Sequence, residues 1–127
     1  MNLNQVTLPA TDIEKSKEFY LKLGFKMIVD SSHYARFETP TGDSTFSVHL
    51  LEEAQTNPST IIYFEIEDLD NLVESLKQKG FKFESGPVDM PWLWREARLL
   101  DPAKNIICLY YAGENRKNPP WRVDRTK

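Results

Sequence analysis

The side chains of this sequence that are best suited to bind a metal or an anion, or to transfer a proton, are an amide, an imidazole, a thiol and two guanidinium groups on predicted strands. They are Gln5, Arg36, His49, Arg98 and Cys108. An imidazole binds a metal, accepts a proton near neutral pH or pairs with an anion, and a guanidinium holds a carboxylate through two parallel hydrogen bonds. Nothing in the sequence around Cys108 would lower its pKa, which favours a small buried side chain over a nucleophile. These residue types indicate either a metal-assisted reaction or the binding of a small anionic molecule.

Aromatic side chains form a second group, which indicates small-molecule binding. Trp92 and Trp94 lie in the segment Met90–Arg95, after Gly86-Pro87, and loops with large aromatic side chains commonly form a lid or a binding wall. The alternative is that this segment covers a sheet edge or a dimer interface. Three tyrosines on predicted strands are further aromatic side chains that could contact a ligand: Tyr34, Tyr63 and Tyr110.

The composition is that of an ordinary globular chain without a dominant charge. The 127 residues are 40% hydrophobic and 28% charged, with a net charge of −3, and the length suits one domain. This balance provides no overall positive field for nucleic-acid phosphates. The chain has no apolar run of the ~20 residues that span a bilayer and no basic and apolar leader. We therefore expect a cytoplasmic protein that binds neither nucleic acid nor membrane.

An internal repeat determines the predicted architecture. Asp12-Ile13 recurs 56 positions later as Asp68-Leu69, and the same offset relates Leu23-Gly-Phe-Lys26 to Lys79-Gly-Phe-Lys82. Apolar residues between these marks recur at spacings of three and four, which predicts one helix in each repeat. The aspartates are expected to cap the helix starts, and the glycines to close the helices in the left-handed conformation.

Alternating strands surround each predicted helix, with one strand before it and three after it. They are predicted at Gln5–Leu8, Phe25–Val29, Tyr34–Glu38 and Thr45–Leu51 in the first repeat, and at Ile61–Ile66, Phe81–Glu84, Glu96–Leu100 and Ile106–Tyr111 in the second. The predicted fold class is α+β, with two βαβββ units at about 3–56 and 59–112 in a single domain. An extended tail, 113–127, follows, because Pro119-Pro120 disfavours a helix there.

The two-residue period of a strand divides each sheet into a core face and an opposite face. We expect the helices on the outside of two curled sheets, whose other faces join into one groove that binds a small molecule. The residues predicted to line the groove and its loop are Gln5, Thr7, Tyr34, Arg36, Ser47, His49, Ile61, Tyr63, Glu65, Trp92, Trp94, Glu96, Arg98, Cys108 and Tyr110. The alternative for Arg36 and Arg98 is a salt bridge across the sheet to Glu65 or Glu96.

The paired units also carry a family resemblance. The first unit has Gln5–Tyr20 followed by Leu23-Gly-Phe25, and the second has Phe64–Leu69, Lys79-Gly-Phe81 and Arg95–Ala97. Together these segments resemble the vicinal oxygen chelate superfamily over roughly residues 3–112. That superfamily includes glyoxalase I, bleomycin-resistance proteins, fosfomycin-resistance enzymes and extradiol dioxygenases. Because one scaffold serves such different functions, the resemblance implies the fold and leaves the function open.

The resemblance implies four metal-ligand positions, on the first and last strands of each unit. They are Gln5, His49, Ile61 and Cys108. Gln5 and His49 are acceptable ligands and are the predicted metal residues, whereas Ile61 is no ligand and Cys108 stands where related metal enzymes have a glutamate. Because the four include no carboxylate, no cofactor is expected, and a borderline divalent metal such as Zn²⁺ is the alternative.

Two functions are compatible with this sequence. The first is a metal-independent binder of a small aromatic or cationic molecule, resembling bleomycin-resistance proteins, which are usually homodimers. The alternative is a metal-dependent lyase or isomerase resembling glyoxalase I, in which a metal polarises vicinal oxygens and a base moves a proton. A dioxygenase is less favoured, because such members need a His, His, Glu set. The sequence assigns no catalytic residue and leaves open whether the protein is an enzyme.

Overall fold

The computed structural model describes residues 1–51 and 60–123, and in this part of the chain it contains two α-helices and eight strands. The α+β class is therefore confirmed. The elements of the first half are β1 (Gln5–Ala10), α1 (Ile13–Leu23), β2 (Lys26–Asp30), β3 (Tyr34–Glu38) and β4 (Thr45–Leu50). Those of the second half are β5 (Ile61–Glu65), α2 (Leu69–Gln78), β6 (Phe83–Asp89), β7 (Arg95–Leu100), β8 (Ile106–Tyr111) and a 3₁₀ helix (Gly113–Asn115).

Both sheets have the same topology, which confirms the paired βαβββ arrangement. The strand order is β1-β4-β3-β2 in the first sheet and β5-β8-β7-β6 in the second. In each sheet the first strand lies parallel to the last strand of its repeat, β1 to β4 and β5 to β8. A parallel neighbour requires a crossover connection, and the helix of each repeat lies within that connection.

The chain divides into two compact units. The first unit is Met1–Thr60 together with Leu100–Asn105, and the second is Ile61–Leu99 together with Ile106–Lys127. The predicted border between the repeats, 56–59, lies outside the described residues. Of the helices that the structure describes, neither is long and apolar enough to cross a membrane.

Helix α1 begins and ends as its sequence predicts. The Asp12 side chain accepts a hydrogen bond from the Lys15 amide, and Gly24 closes the helix at a φ of 120°. The inner face buries Tyr20, whose ring lies 4.9 Å from that of Phe46 and 5.6 Å from that of Phe37. This aromatic group forms the core of the first unit and holds β3 and β4 in place.

Helix α2 differs from the prediction at its start. The Asp68 side chain makes no capping bond to the backbone and instead accepts a hydrogen bond from the Asn71 amide group at 2.8 Å. Its buried face consists of Leu69, Val73 and Leu76, as the spacing of three and four predicts.

Strand β6 is longer than predicted and continues to Asp89 through Gly86-Pro87. Its register against β7 shifts between Phe83 and Ser85 and again between Ser85 and Val88. Such irregularities on an edge strand accommodate a proline, which donates no hydrogen bond to the ladder. The segment with the two tryptophans is consequently a short turn between β6 and β7.

The tail is not extended where the structure describes it. It begins with the 3₁₀ helix and continues in turns through residue 121. The Asn118 amide donates to the Glu114 carbonyl, and the Arg122 amide donates to the Pro119 carbonyl. Local hydrogen bonds thus shape this segment despite its two prolines. Residues 124–127 lie outside the described residues.

Candidate functional site

The predicted groove residues fall into two groups, one on a sheet face of each unit. The first, here called the polar cluster, consists of Gln5, Tyr34, Arg36, Ser47 and His49. The second, here called the aromatic cluster, consists of Tyr63, Trp92, Trp94, Glu96, Arg98, Cys108 and Tyr110. Each cluster belongs to a different compact unit.

The polar cluster is assembled by the pairing of three strands. Ser47 on β4 lies opposite Thr7 of β1 on one side and opposite Arg36 of β3 on the other, and Tyr34 lies opposite His49. Because these positions alternate with the core residues Ala35, Phe37, Phe46 and Val48, they share the face away from α1.

A chain of hydrogen bonds connects the polar cluster. The Gln5 Nε2 group donates to Ser47 Oγ at 2.7 Å, and Ser47 Oγ lies 2.6 Å from the Tyr34 hydroxyl oxygen. Arg36 Nε donates to the same phenol oxygen at 2.9 Å, and the guanidinium carbon lies 5.5 Å from the Tyr34 ring centroid. Ser47 is fully buried, whereas Tyr34 and Arg36 are half-buried. The cluster therefore presents a phenol and a guanidinium on a buried polar support.

The phenol of Tyr34 has a perturbed acidity. Burial raises its pKa, but the hydrogen bonds of Ser47 and Arg36 and the charge of Arg36 outweigh burial, so the pKa lies below its ordinary value.

His49 is exposed, with its ring 6.3 Å from that of Tyr34 and 6.4 Å from that of His33, which is exposed as well. No carboxylate of the described residues forms a salt bridge with Arg36, so the salt bridge that the sequence allowed for it is not seen there.

The predicted metal pair, Gln5 and His49, is not brought together. Gln5 lies opposite Thr45 and His49 opposite Pro9, four residues further along β4, which is about 13 Å of strand. Donor atoms that share one ion lie within ~4 Å of one another. The Gln5 amide is also engaged, because it donates to Ser47 and accepts from the Thr45 hydroxyl. The strand register and the partners of Gln5 therefore argue against a metal shared by these two residues.

The strand register identifies a different equivalent for Cys108. Cys108 lies opposite Tyr63, and the residue 56 positions before Tyr63 is Thr7, which lies opposite Ser47. The position in the first sheet that corresponds to Cys108 is consequently Ser47, and His49 lies two residues beyond it. The four positions that the family resemblance implies as metal ligands then hold an amide, a hydroxyl, an alkyl group and a thiol, from Gln5, Ser47, Ile61 and Cys108.

These side chains do not fit a divalent metal. Ile61 has no donor atom, and the Cys108 thiol is fully buried. Burial, with a smaller contribution from the carboxylate of Glu96, raises the pKa of that thiol to about 12. A neutral thiol is neither a good ligand nor a nucleophile. Within 1–51 and 60–123, no group of three or more His, Cys, Asp or Glu side chains is arranged to hold a metal.

The aromatic cluster is built around a stacked pair. The rings of Trp94 and Tyr110 lie 4.7 Å apart at an interplanar angle of 24°. Tyr63 is edge-on to both, at 5.7 Å from Trp94 and 5.5 Å from Tyr110. Tyr110 is buried, Trp94 is half-buried, and Tyr63 keeps 41% of its surface exposed. The cluster thus has a rigid base and an exposed aromatic edge.

A buried carboxylate lies beside these rings. Glu96 is 2% exposed and accepts a hydrogen bond from Trp92 Nε1 at 2.7 Å. Arg98 Nη2 forms a salt bridge with its other oxygen at 3.2 Å. Glu96 is one of the partners that the sequence allowed for Arg98, but the two residues lie two positions apart on β7, so this salt bridge does not cross the sheet. The Arg98 guanidinium balances the buried negative charge of Glu96. The hydrogen bond from Trp92 to Glu96 holds Trp92 at the rim of the cluster.

Glu65 has a supporting role that the sequence did not predict. Its carboxylate accepts hydrogen bonds from the backbone amides of Ala112 and Gly113, at 2.8 and 2.9 Å. These bonds hold the start of the 3₁₀ helix, and the carbonyl of Asn115 in that helix accepts a hydrogen bond from Trp94 Nε1 at 3.3 Å. Asn115 was not among the predicted site residues, because its contact with Trp94 depends on how the tail turns back.

Comparison with known proteins identifies related sequences. The family model described as the Glyoxalase/Bleomycin resistance protein/Dioxygenase superfamily matches residues 2–109. The uncharacterised protein YraH of Bacillus subtilis strain 168 is 29% identical over an alignment of 127 positions, which covers 87% of this chain and 98% of that protein.

Solved structures share the fold at low sequence identity. A glyoxalase/bleomycin resistance protein/dioxygenase from Nocardioides has a TM-score of 0.78 at 22% identity, over 97% of this chain and 89% of that one. TnmS3, an antibiotic binding protein from Streptomyces sp. CB03234, has a TM-score of 0.75 at 24% identity, over 88% and 97%. A bleomycin-binding protein complexed with bleomycin has a TM-score of 0.70 at 19% identity, over 87% and 98%.

Proposed function

As the chain belongs to the glyoxalase/bleomycin resistance protein/dioxygenase superfamily, we propose that it is a metal-independent binding protein for a small aromatic molecule. The observation that carries the proposal is the aromatic cluster, in which Trp94 stacks on Tyr110 and the half-exposed Tyr63 stands edge-on to both. Aromatic rings prefer such stacked and edge-to-face partners. Because the rings are already held in place, binding costs little side-chain entropy.

The polar groups beside the rings orient the ligand. Arg98 keeps 31% of its side-chain surface exposed and is bonded to Glu96 through one nitrogen. A guanidinium has five N–H donors, so Arg98 retains donors for a polar substituent of the ligand. Trp92, anchored through Glu96, borders the same cluster. This combination of aromatic walls and few polar groups is typical of small-molecule sites.

The donor chemistry argues against the alternative, a lyase or isomerase of the glyoxalase I type. Such a reaction needs a metal and a base, and the corresponding side chains here are Gln5, Ser47, Ile61 and Cys108. None of them is a carboxylate or an imidazole. Two structural neighbours, a bleomycin-binding protein and an antibiotic binding protein, support small-molecule binding as the broader class.

We further propose that the protein is a homodimer. Val88, Trp92 and Leu93 keep 45%, 40% and 48% of their surfaces exposed within one segment of the second unit. Neighbouring exposed apolar side chains of this size commonly mark an interaction surface. Sedimentation at micromolar concentration is expected to show a dimer, and a 14.8 kDa species alone would contradict it.

The binding proposal is tested by tryptophan fluorescence and calorimetry with a defined panel. The panel contains bleomycin, aromatic cations, aromatic acids and thiol adducts of α-ketoaldehydes, each measured with EDTA and with added Zn²⁺ or Mn²⁺. We expect saturable binding of at least one aromatic compound, with the same affinity under all metal conditions. Binding that needs added metal and disappears in His49→Ala would overturn the proposal.

A matched pair of variants locates the site. Tyr63→Ala is expected to weaken aromatic binding about tenfold or more, because truncation of an aromatic anchor commonly costs ~1.4 kcal/mol or more. Tyr111→Ala is the control, because Tyr111 lies on the opposite face of β8 and is 40% exposed, close to the 41% of Tyr63. Equal affinities in the two variants would place binding elsewhere.

A further inference from the structure

The hydrogen bonds of Ser47 determine where the proton of Tyr34 points. Ser47 Oγ is fully buried, and its partners among the described residues are Gln5 Nε2 and the Tyr34 hydroxyl. Gln5 Nε2 can only donate, and its identity as the nitrogen is supported by its second bond, to the Val6 carbonyl. The remaining acceptor for the Ser47 proton is therefore the Tyr34 oxygen. The reverse arrangement would leave a buried hydroxyl proton without an acceptor, at a cost of ~1–3 kcal/mol.

The Tyr34 oxygen therefore accepts two hydrogen bonds. Ser47 donates one, and Arg36 Nε donates the other at 2.9 Å. A phenol oxygen that accepts twice still has its own proton to donate, and neither of these two partners is free to receive it. The Tyr34 proton thus points away from the protein support, toward whatever occupies the half-exposed space beside it.

Arg36 provides a second set of donors beside that proton. Its Nε is used on Tyr34, whereas no salt bridge or hydrogen bond involves its two Nη groups within the described residues. A guanidinium is always charged and matches the oxygens of carboxylate and phosphate groups. A phenol proton and unsatisfied guanidinium N–H groups on neighbouring positions of one strand face are complementary to an oxyanion.

We propose that Tyr34 and Arg36 form an oxyanion-binding site on the first sheet, in which the phenol proton and the Arg36 Nη groups donate hydrogen bonds to a carboxylate or phosphate. The proposal goes beyond the aromatic binding function and does not depend on it, because it rests on different residues in the other unit. Gln5 and Ser47 act as positioning residues, since they orient the Tyr34 hydroxyl without facing the anion.

The charged and titratable neighbours are compatible with this assignment. Arg36 lies on the same strand as Tyr34, β4 contributes His49, and β1 contributes the neutral Gln5 and Thr7. His33, 6.4 Å from His49, lies in the turn before β3.

The test is direct titration of the full chain with inorganic phosphate, acetate and benzoate at constant ionic strength, with chloride as the reference anion. Heat of binding and amide chemical shifts report affinity. We expect saturable binding of at least one oxyanion, weakened about tenfold or more by Arg36→Gln and by Tyr34→Phe, and less by Arg36→Lys, which keeps the charge but loses the fork. The comparison of phosphate with the two carboxylates identifies which oxyanion the site prefers.

Matched controls separate the site from general charge effects. Lys82→Gln removes one positive charge from an exposed position of the other unit, and Tyr111→Phe removes an exposed phenol. Both are expected to bind as the unmodified chain does. The phenolate absorbance adds an independent readout. One tyrosine should ionise with a pKa below the ordinary value of a tyrosine, and that transition should vanish in Tyr34→Phe. Bound anion should raise the pKa of Tyr34. Absence of saturable binding, or equal affinity in the Tyr34 and Arg36 variants and the controls, would overturn the proposal.

Discussion

The hydroxyl of Tyr20 donates a hydrogen bond to the carboxylate of Asp101 at 2.6 Å, across 81 residues of sequence. Both side chains are buried within the first unit, at 0% and 4% exposure. The same carboxylate accepts the amides of Ala103 and Asn105 and the side-chain amide of Asn105. Helix α1 and the turn between β7 and β8 are thereby connected through one buried carboxylate.

Tyr20→Phe is expected to destabilise the protein by ~1.5–3 kcal/mol, because it removes a buried hydrogen bond to a charged group while leaving the aromatic packing. Urea unfolding followed by circular dichroism measures this change. Tyr111→Phe, at an exposed position, is the control and should change the free energy of unfolding little. Equal losses in the two variants would show that the bond to Asp101 contributes nothing.

The Cys108 thiol predicts a stability change at alkaline pH. Burial is the chief cause that raises its pKa in the folded protein from the ordinary value to about 12, so the unfolded chain loses this proton at a lower pH than the folded chain does. The contribution of the thiol to the stability of the folded state is therefore fully present below about pH 9, and it is lost as the pH rises toward 12. Unfolding in urea at pH 8 and pH 10.5 should show a larger loss for the unmodified chain than for Cys108→Ala, by about 1–2 kcal/mol. Identical losses in the two proteins would contradict this reading of the thiol.

Metal removal is expected to leave this protein unchanged. Because the register separates Gln5 from His49 and the Gln5 amide is already bonded, neither EDTA nor His49→Ala should alter the thermal unfolding midpoint beyond measurement error. Protein purified without an affinity tag should contain no stoichiometric transition metal in elemental analysis. One equivalent of metal that is lost in His49→Ala would refute the structural argument.

Two glycines with similar backbone angles provide a matched test of packing. Gly86 and Gly42 have φ values of 85° and 79°, but a Cβ at Gly86 would clash with the Glu96 carbonyl oxygen, whereas nothing lies within 4 Å of a Cβ at Gly42. Gly42→Ala should cost ~1–2 kcal/mol for the left-handed conformation alone. Gly86→Ala should cost ~1–3 kcal/mol more, because β6 and β7 must separate. Chemical denaturation compares the two, and equal losses would mean that the strands have room to move.

Much of the fold was predictable because its signals are local. The 56-residue offset, the helical spacing of three and four and the alternation along strands gave the order of elements and both core faces correctly. The extent of β6 was not predictable, because irregular pairing with β7 decides it. The start of α2 also differed, since Asp68 bonds to the Asn71 side chain in place of the backbone.

The sequence by itself determined which residues share a sheet face, because the two-residue period of a strand is a property of the local backbone. Only the tertiary structure decided which of them meet. Gln5 joins Ser47, and not His49, because the parallel register of β1 and β4 is set by the packing of a whole sheet against α1. In the second unit the fold likewise brings Glu65 to the amides of Ala112 and Gly113, and Glu96 to the indole of Trp92.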